Sequence, residues 1–308
     1  FPPLLLVAAT LPPLGAVAWF MGRSADGVTW RRGSLAFVGG ATVSVMLAIV
    51  LELVLPIIVL AVFLNLFNIV TRGLQTLLDA LAGANVAAAL TSRGFIILLV
   101  QLAVIAPLVE ELCKPLVTLP LVRHLARRDA FLVGALAGAG FAALENVIYT
   151  GFGSSLWAGV LIVRALGGAI HPFGAGLVAV AWRAVLRREP DAWLKWLGRY
   201  GAAVGMHALW NGGSLLVITL AGAQLFGRVP RVDVLGVSAT GLALALLVLL
   251  GVAALWLGRI VSAEKSLPTL DREAIAFNPS DRAVAVWALA CLVAIVPLGI
   301  AGLRLLIR

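Results

Sequence analysis

About eight stretches of this chain stay apolar for long enough to cross a bilayer, and that property alone removes most folds from consideration. A spanning helix needs about 20 mostly apolar residues. In lipid the backbone must satisfy its own hydrogen bonds, which makes helices the default. The stretches run over about 3–22, 34–64, 94–122, 130–150, 156–186, 196–226, 234–260 and 283–304. The short alternating segments of a membrane β-barrel are not seen in the sequence. The expectation is an all-α, polytopic transmembrane helix bundle of about eight spans, forming a single integral membrane domain over 1–308. The second stretch is overlong and contains Pro56, which suits a kinked or tilted helix, or a span followed by a re-entrant piece. Residues 65–93 mix Asn65, Arg72 and Asp79 with leucines and read as an interfacial connection. The longest polar loop is 261–282.

Charge supports the same class. Only 12% of the 308 residues are charged, against about 25% in a soluble domain. The net charge of +9 sits mostly in short loops between apolar runs, which is a topology signal. No basic-aromatic surface accompanies it, so nucleic acid is not an expected partner. The loops after spans 1, 3, 5 and 7 carry well over half of the Lys and Arg. That side is expected to be cytoplasmic, with both termini outside the cytoplasm. The chain starts at Phe1 without a methionine, so a trimmed N-terminus is expected. No basic segment precedes the first run, which reads as a span and not a signal peptide. Cys113 and Cys291 make neither a disulfide framework nor a zinc pattern.

An ionisable residue deep in a span is costly, and functional by default. Spans 3 to 6 each hold such residues. Span 3 reads APLVEELCKPL, with Glu110, Glu111 and Lys114; span 4 has Glu145 and Asn146; span 5 has Arg164 and His171; span 6 has His207 and Asn211. At a rise of ~1.5 Å per residue, Glu111 and His207 lie roughly 16 Å from the cytoplasmic ends, and Glu145 roughly 22 Å. His171 is near the centre of its span. The groups therefore share a layer, where three carboxylates and two imidazoles can converge. Lys114 stands at i+4 from Glu110 and i+3 from Glu111 and can neutralise either. Two chemistries suit the set. Carboxylate and imidazole can hold a divalent metal that activates water. Alternatively, a buried glutamate activates water itself, with His and Asn at the oxyanion.

Blander readings apply residue by residue. Glu52, alone in span 2, suits helix pairing. A lone histidine facing a bundle is more often a structural donor than a ligand. The Glu110–Glu111–Lys114 group alone could be a structural ion pair. Arg164 divides evenly between a snorkelling and a functional role. His124 lies in a basic loop and reads as solvated, and Cys113 as a small packing residue. The coincidence of depth on four consecutive spans favours function.

At these residues the sequence resembles the PrsW family of intramembrane proteases. The family pattern is EExxK, then FxxxEN, then a histidine helix, then a histidine followed four later by asparagine. Here it stands as Glu110-Glu111-Leu112-Cys113-Lys114, then Phe141 to Glu145-Asn146, then His171, then His207 to Asn211. The match covers about 94–220, the expected catalytic core. Residues 1–93 and 234–308 are expected to be peripheral spans.

The resemblance implies a metallo-type peptidase of a bacterial cell membrane that cuts membrane-anchored regulators such as anti-sigma factors. It implies Glu110, Glu111, Glu145, His171, His207 and Asn211 as catalytic, with Lys114, Asn146 and Arg164 in support. The expected metal ligands are Glu145, His171 and His207, and the expected metal is zinc. The family is also similar to the CAAX-prenyl-protease-like superfamily. There Glu145 takes the place of a histidine, and by analogy Glu110 is a metal-free base with His207 and Asn211 at the oxyanion. Other protease types fit poorly: HExxH is absent, no Asp lies within the spans, and Ser154 and Ser155 sit at a span edge. A proton- or ion-coupled transporter using the same cluster is the alternative from another class. A catalytically silent membrane binding protein is the third.

Overall fold

The computed structural model describes residues 2–22, 28–56, 90–152, 157–225, 237–263 and 279–306, with a few positions within 72–79 and 233–234. Most of the connection expected at 65–93, and most of the loop at 261–282, lie outside the described residues.

The described chain is helical apart from one two-residue antiparallel pairing, Asp233–Val234 with Val237–Ser238. Helix α1 spans Pro2–Met21 and contains Pro12 and Pro13. Gly22 closes it with φ +62°, a conformation only glycine adopts without strain. Helix α2 spans Trp30–Pro56. The Thr29 side chain caps it by accepting from the Arg32 N–H. It carries a wider π turn at Gly40–Ser44. Helix α3 spans Arg93–Leu116, capped by Ser92 and widened at Gln101–Ile105. A single turn, α4, Leu119–Val122, follows. Then come α5 Arg127–Phe152, α6 Trp157–Leu166, α7 Ile170–Leu186, α8 Ala192–Leu225, α9 Ala239–Ala263 and α10 Asp281–Leu306.

Five described helices, α2, α3, α5, α8 and α9, are long and apolar enough to cross a membrane. The count is six if α6 and α7 form one span, since they meet at a 40° bend. The apolar part of α1, Leu5–Met21, is shorter. The helical membrane architecture stands, but the count of about eight spans is not confirmed. The fifth expected span is a broken one: Gly167 and Gly168 interrupt its helix.

Helix α5 is the centre of the bundle, with α7, α1 and α2 against it. Lipid offers no hydrophobic drive for helices to associate, so close packing of small residues has to supply it. A Cβ added at Gly140 would overlap the Phe37 carbonyl of α2, and one at Gly138 the His171 carbonyl of α7. The backbones meet directly at these points.

Polar ties gather the helix ends on one side. Arg128 Nη2 donates to the Met21 carbonyl at 3.0 Å, and Ser262 Oγ to Phe20 at 2.6 Å. Arg31 pairs with Asp281 at 2.6 Å, and Arg187 Nε donates to the Arg123 carbonyl at 3.1 Å. The C-terminal ends of α1, α7 and α9 thus share a side with the N-terminal ends of α2, α5 and α10.

Candidate functional site

The polar residues of spans 3 to 6 lie together. Helix α3 presents Glu110, Glu111 and Lys114 near its C-terminal end, all buried. Helix α5 supplies Glu145 and Asn146, and α8 supplies His207 and Asn211. Arg164, in the last turn of α6, and His171, in the first turn of α7, flank the break between those helices. An added Cβ at Gly167 would run into the Trp210 indole, and one at Gly168 into Pro12. Glycine is therefore what lets the bend nest between α8 and α1.

Two halves make up the cluster. In the first, Lys114 Nζ donates to Glu111 Oε1 at 2.7 Å and lies 3.0 Å from Glu110 Oε2. The second contact is out of hydrogen-bond alignment, so Glu110 Oε2 stays buried without a hydrogen-bond partner. His207 Nδ1 lies 2.9 Å from the same Glu111 oxygen. In the second half, Glu145 pairs with Arg164. Arg164 Nε donates to Asn146 Oδ1 at 2.7 Å, and the guanidinium stacks 4.8 Å over the Tyr149 ring. His171 Nε2 is 3.2 Å from Glu145 Oε2. The histidine rings join the halves edge to face, their centroids 4.6 Å apart.

An ionised carboxylate accepts and does not donate, so the Glu111 contact assigns the His207 proton. His207 carries its proton on Nδ1, toward Glu111. His171 Nε2 lies 3.2 Å from Glu145 Oε2 and 3.4 Å from Arg164 Nη2, and the Arg164 contact is the one in hydrogen-bond alignment. His171 Nδ1 has no hydrogen-bond partner and stands 3.8 Å from Glu110 Oε2; His207 Nε2 stands 3.9 Å from that oxygen. One ligand atom each from Glu110, His171 and His207 all lie within 4.8 Å of one another. The expected ligand set named Glu145 with these two histidines; Glu145 Oε2 pairs with Arg164, and its Oε1 is buried without a hydrogen-bond partner.

Backbone groups that the sequence reading passed over also take part. The π turn at Gln101–Ile105 diverts the Ala106 N–H to Gln101, which leaves the Leu102 carbonyl without it. Asn211 Nδ2 donates to Leu102 at 2.9 Å and lies 3.1 Å from His207 Nε2. Tyr200 of α8 donates to the Leu108 carbonyl at 2.6 Å, a second tie to α3. Phe141, the aromatic of the FxxxEN motif, lies 4.7 Å from Lys114 Nζ and stacks on His171. Glu52 is within electrostatic range of Glu145 and Lys114. His124 stands apart from the cluster, accepting from Arg123 at 2.7 Å. Its pKa is lowered, by partial burial first and then by Arg123 and Arg187.

A family model described as PrsW family intramembrane metalloprotease matches residues 29–250, well over half of the chain. The chain belongs to the PrsW family. It is accordingly an integral membrane peptidase whose substrates are membrane proteins in a lipid bilayer. No curated protein and no solved structure matches it. The matched region contains every ionisable residue of the cluster and leaves out α1 and α10.

The family's metal can be tested against the residues. Two imidazole nitrogens and one carboxylate oxygen converge, and two of these atoms, His171 Nδ1 and Glu110 Oε2, are buried without hydrogen-bond partners. His207 gives its Nδ1 proton to Glu111, a carboxylate outside the group, which is the usual support of a metal-binding histidine. Glu110, Glu111 and Glu145 outnumber the two cations paired with them, Lys114 and Arg164. The donor set fits a divalent metal.

Proposed function

We propose that this PrsW-family peptidase hydrolyses peptide bonds of membrane-anchored proteins at the group formed by Glu110, His171 and His207, within the depth of the bilayer. The observation that carries this reading is the convergence of one ligand atom each from Glu110, His171 and His207, all within 4.8 Å of one another and buried. A divalent metal held by these three residues supplies Lewis acidity toward water and the scissile carbonyl, and imidazole with carboxylate is a usual zinc set. Glu111 holds the His207 imidazole in one tautomer, and Glu145 lies beside His171. Lys114 and Arg164 offset the charge of those carboxylates and keep them acceptors. Asn211 fixes His207 on the far side from Glu111. The carboxylates, being close to the reacting group, are the candidate proton acceptors.

On this reading the catalytic core is the 94–220 region, with the basic helix ends cytoplasmic and both termini outside. A bacterial cell membrane is the setting that the family resemblance favours, and a membrane-anchored anti-sigma factor the substrate class. The transporter alternative is not favoured, since family membership points to a peptidase.

The test combines elemental analysis with cleavage. Purified protein is expected to carry one divalent metal per chain and to cut a single-span substrate. Glu110→Gln and His171→Ala are expected to lose both metal and cleavage while remaining folded in the membrane. Full cleavage by a verified metal-free preparation would overturn the metal reading and favour Glu110 as a base acting alone.

A further inference from the structure

Helix α1 lies outside residues 29–250, yet it reaches the cluster through its backbone. Pro13 has no N–H, so the Ala9 carbonyl lacks the donor that an α-helix supplies from four residues on. Ala9 is fully buried, and water cannot make up the loss. Asn146 Nδ2 donates to that carbonyl at 2.8 Å, and Asn146 Oδ1 accepts from Arg164 Nε at 2.7 Å. The amide is thereby fixed in one orientation: turned over, it would set oxygen against oxygen and N–H against N–H. Arg164 in turn pairs with Glu145, whose Oε2 faces His171 Nε2 at 3.2 Å. Pro12 packs at Gly168, in the break that separates Arg164 from His171.

We propose that α1 is a positioning element of the proteolytic site: the proline-freed Ala9 carbonyl anchors Asn146, and Asn146 sets Arg164 against Glu145. Asn146 is then a positioning residue that acts on His171 through Arg164 and Glu145. The proposal rests on the site reading above, in that it takes His171 to be a working group.

A charged hydrogen bond is lost when Asn146 becomes Leu, and kcat for a single-span substrate is expected to fall about tenfold or more with KM little changed. The same change orphans the Ala9 carbonyl, so folding can suffer independently of catalysis. Pro13→Ala returns an N–H to that carbonyl. The double variant P13A/N146L is therefore expected to recover the thermal stability of the wild type while kcat stays about tenfold down. Arg164→Lys, which keeps the charge but cannot bridge Asn146 and Glu145, is expected to match the kcat loss. Recovery of wild-type kcat in P13A/N146L would overturn the proposal, because the loss would then come from the orphaned carbonyl alone. Wild-type kcat in N146L would overturn it too. E110Q in the same assay reports on the site reading separately: if it cleaves normally, that reading fails whatever Asn146 does.

Discussion

Glu111 is held from two sides, by the Lys114 ammonium at 2.7 Å and by His207 Nδ1 at 2.9 Å, with none of the three side chains exposed. Its work on this geometry is to set a tautomer. An ionised carboxylate can only accept, so the His207 proton stays on Nδ1 and Nε2 is left as an acceptor, which Asn211 Nδ2 faces at 3.1 Å. The amide of Glu111→Gln can turn either an oxygen or an N–H toward His207, and it carries no charge to answer Lys114. Metal affinity is expected to fall about 10–100-fold, the usual cost of losing a partner behind a metal-bound histidine. Competition against a chelator of known affinity measures this. Unchanged affinity would mean that Glu111 does not orient His207. Glu145 lies 3.2 Å from His171 and pairs with Arg164, as Glu111 pairs with Lys114. The two histidines are thus served by matching carboxylate–cation pairs contributed by different helices.

At the scale of elements, α5 is where backbones approach most closely. Gly140→Ala would press a methyl into the Phe37 carbonyl of α2, which is backbone and cannot rotate away. A loss of about 1–3 kcal/mol in unfolding free energy is expected. Gly159 of α6 is the contrasting case, since an added Cβ there meets nothing within 4 Å. Gly159→Ala is expected to be neutral or to stabilise by up to about 1 kcal/mol through helix propensity. Unfolding in detergent checks both, and equal effects would remove the packing argument. Spacing within each helix could be read from the sequence: Glu110, Glu111 and Lys114 share one turn of α3, and His207 and Asn211 share a face of α8. What lies between helices could not. The π turn that leaves Leu102 for Asn211 leaves no periodic mark in an all-apolar stretch. The break at Gly167 and Gly168 hid inside an apolar run that reads as one span. Where Arg164 lands beside Glu145 depends on the break. Pro12 and Pro13 did carry a signal, because a proline in a span frees a carbonyl that a neighbour must satisfy.

Across the whole molecule, the polar ties at one side bring together Arg31, Arg128, Arg187 and Arg259 with the helix ends they bind. If that side is cytoplasmic, a cysteine placed at exposed Arg188 should react with a membrane-impermeant maleimide only when the reagent has access to the cytoplasmic face. The native Cys113 and Cys291 are buried and give little background. Labelling from the opposite face would invert the topology. The order in which the cluster's parts occur along the chain has a consequence for biosynthesis. Ala9 comes first, Glu110 a hundred residues later, and His207 last. A ribosome delivers them in that order, so a nascent chain that has inserted α1 to α7 still lacks one of the three residues proposed to hold the metal. Proteolytic competence on this assignment waits for α8, and a half-made copy is harmless to its neighbours in the same membrane.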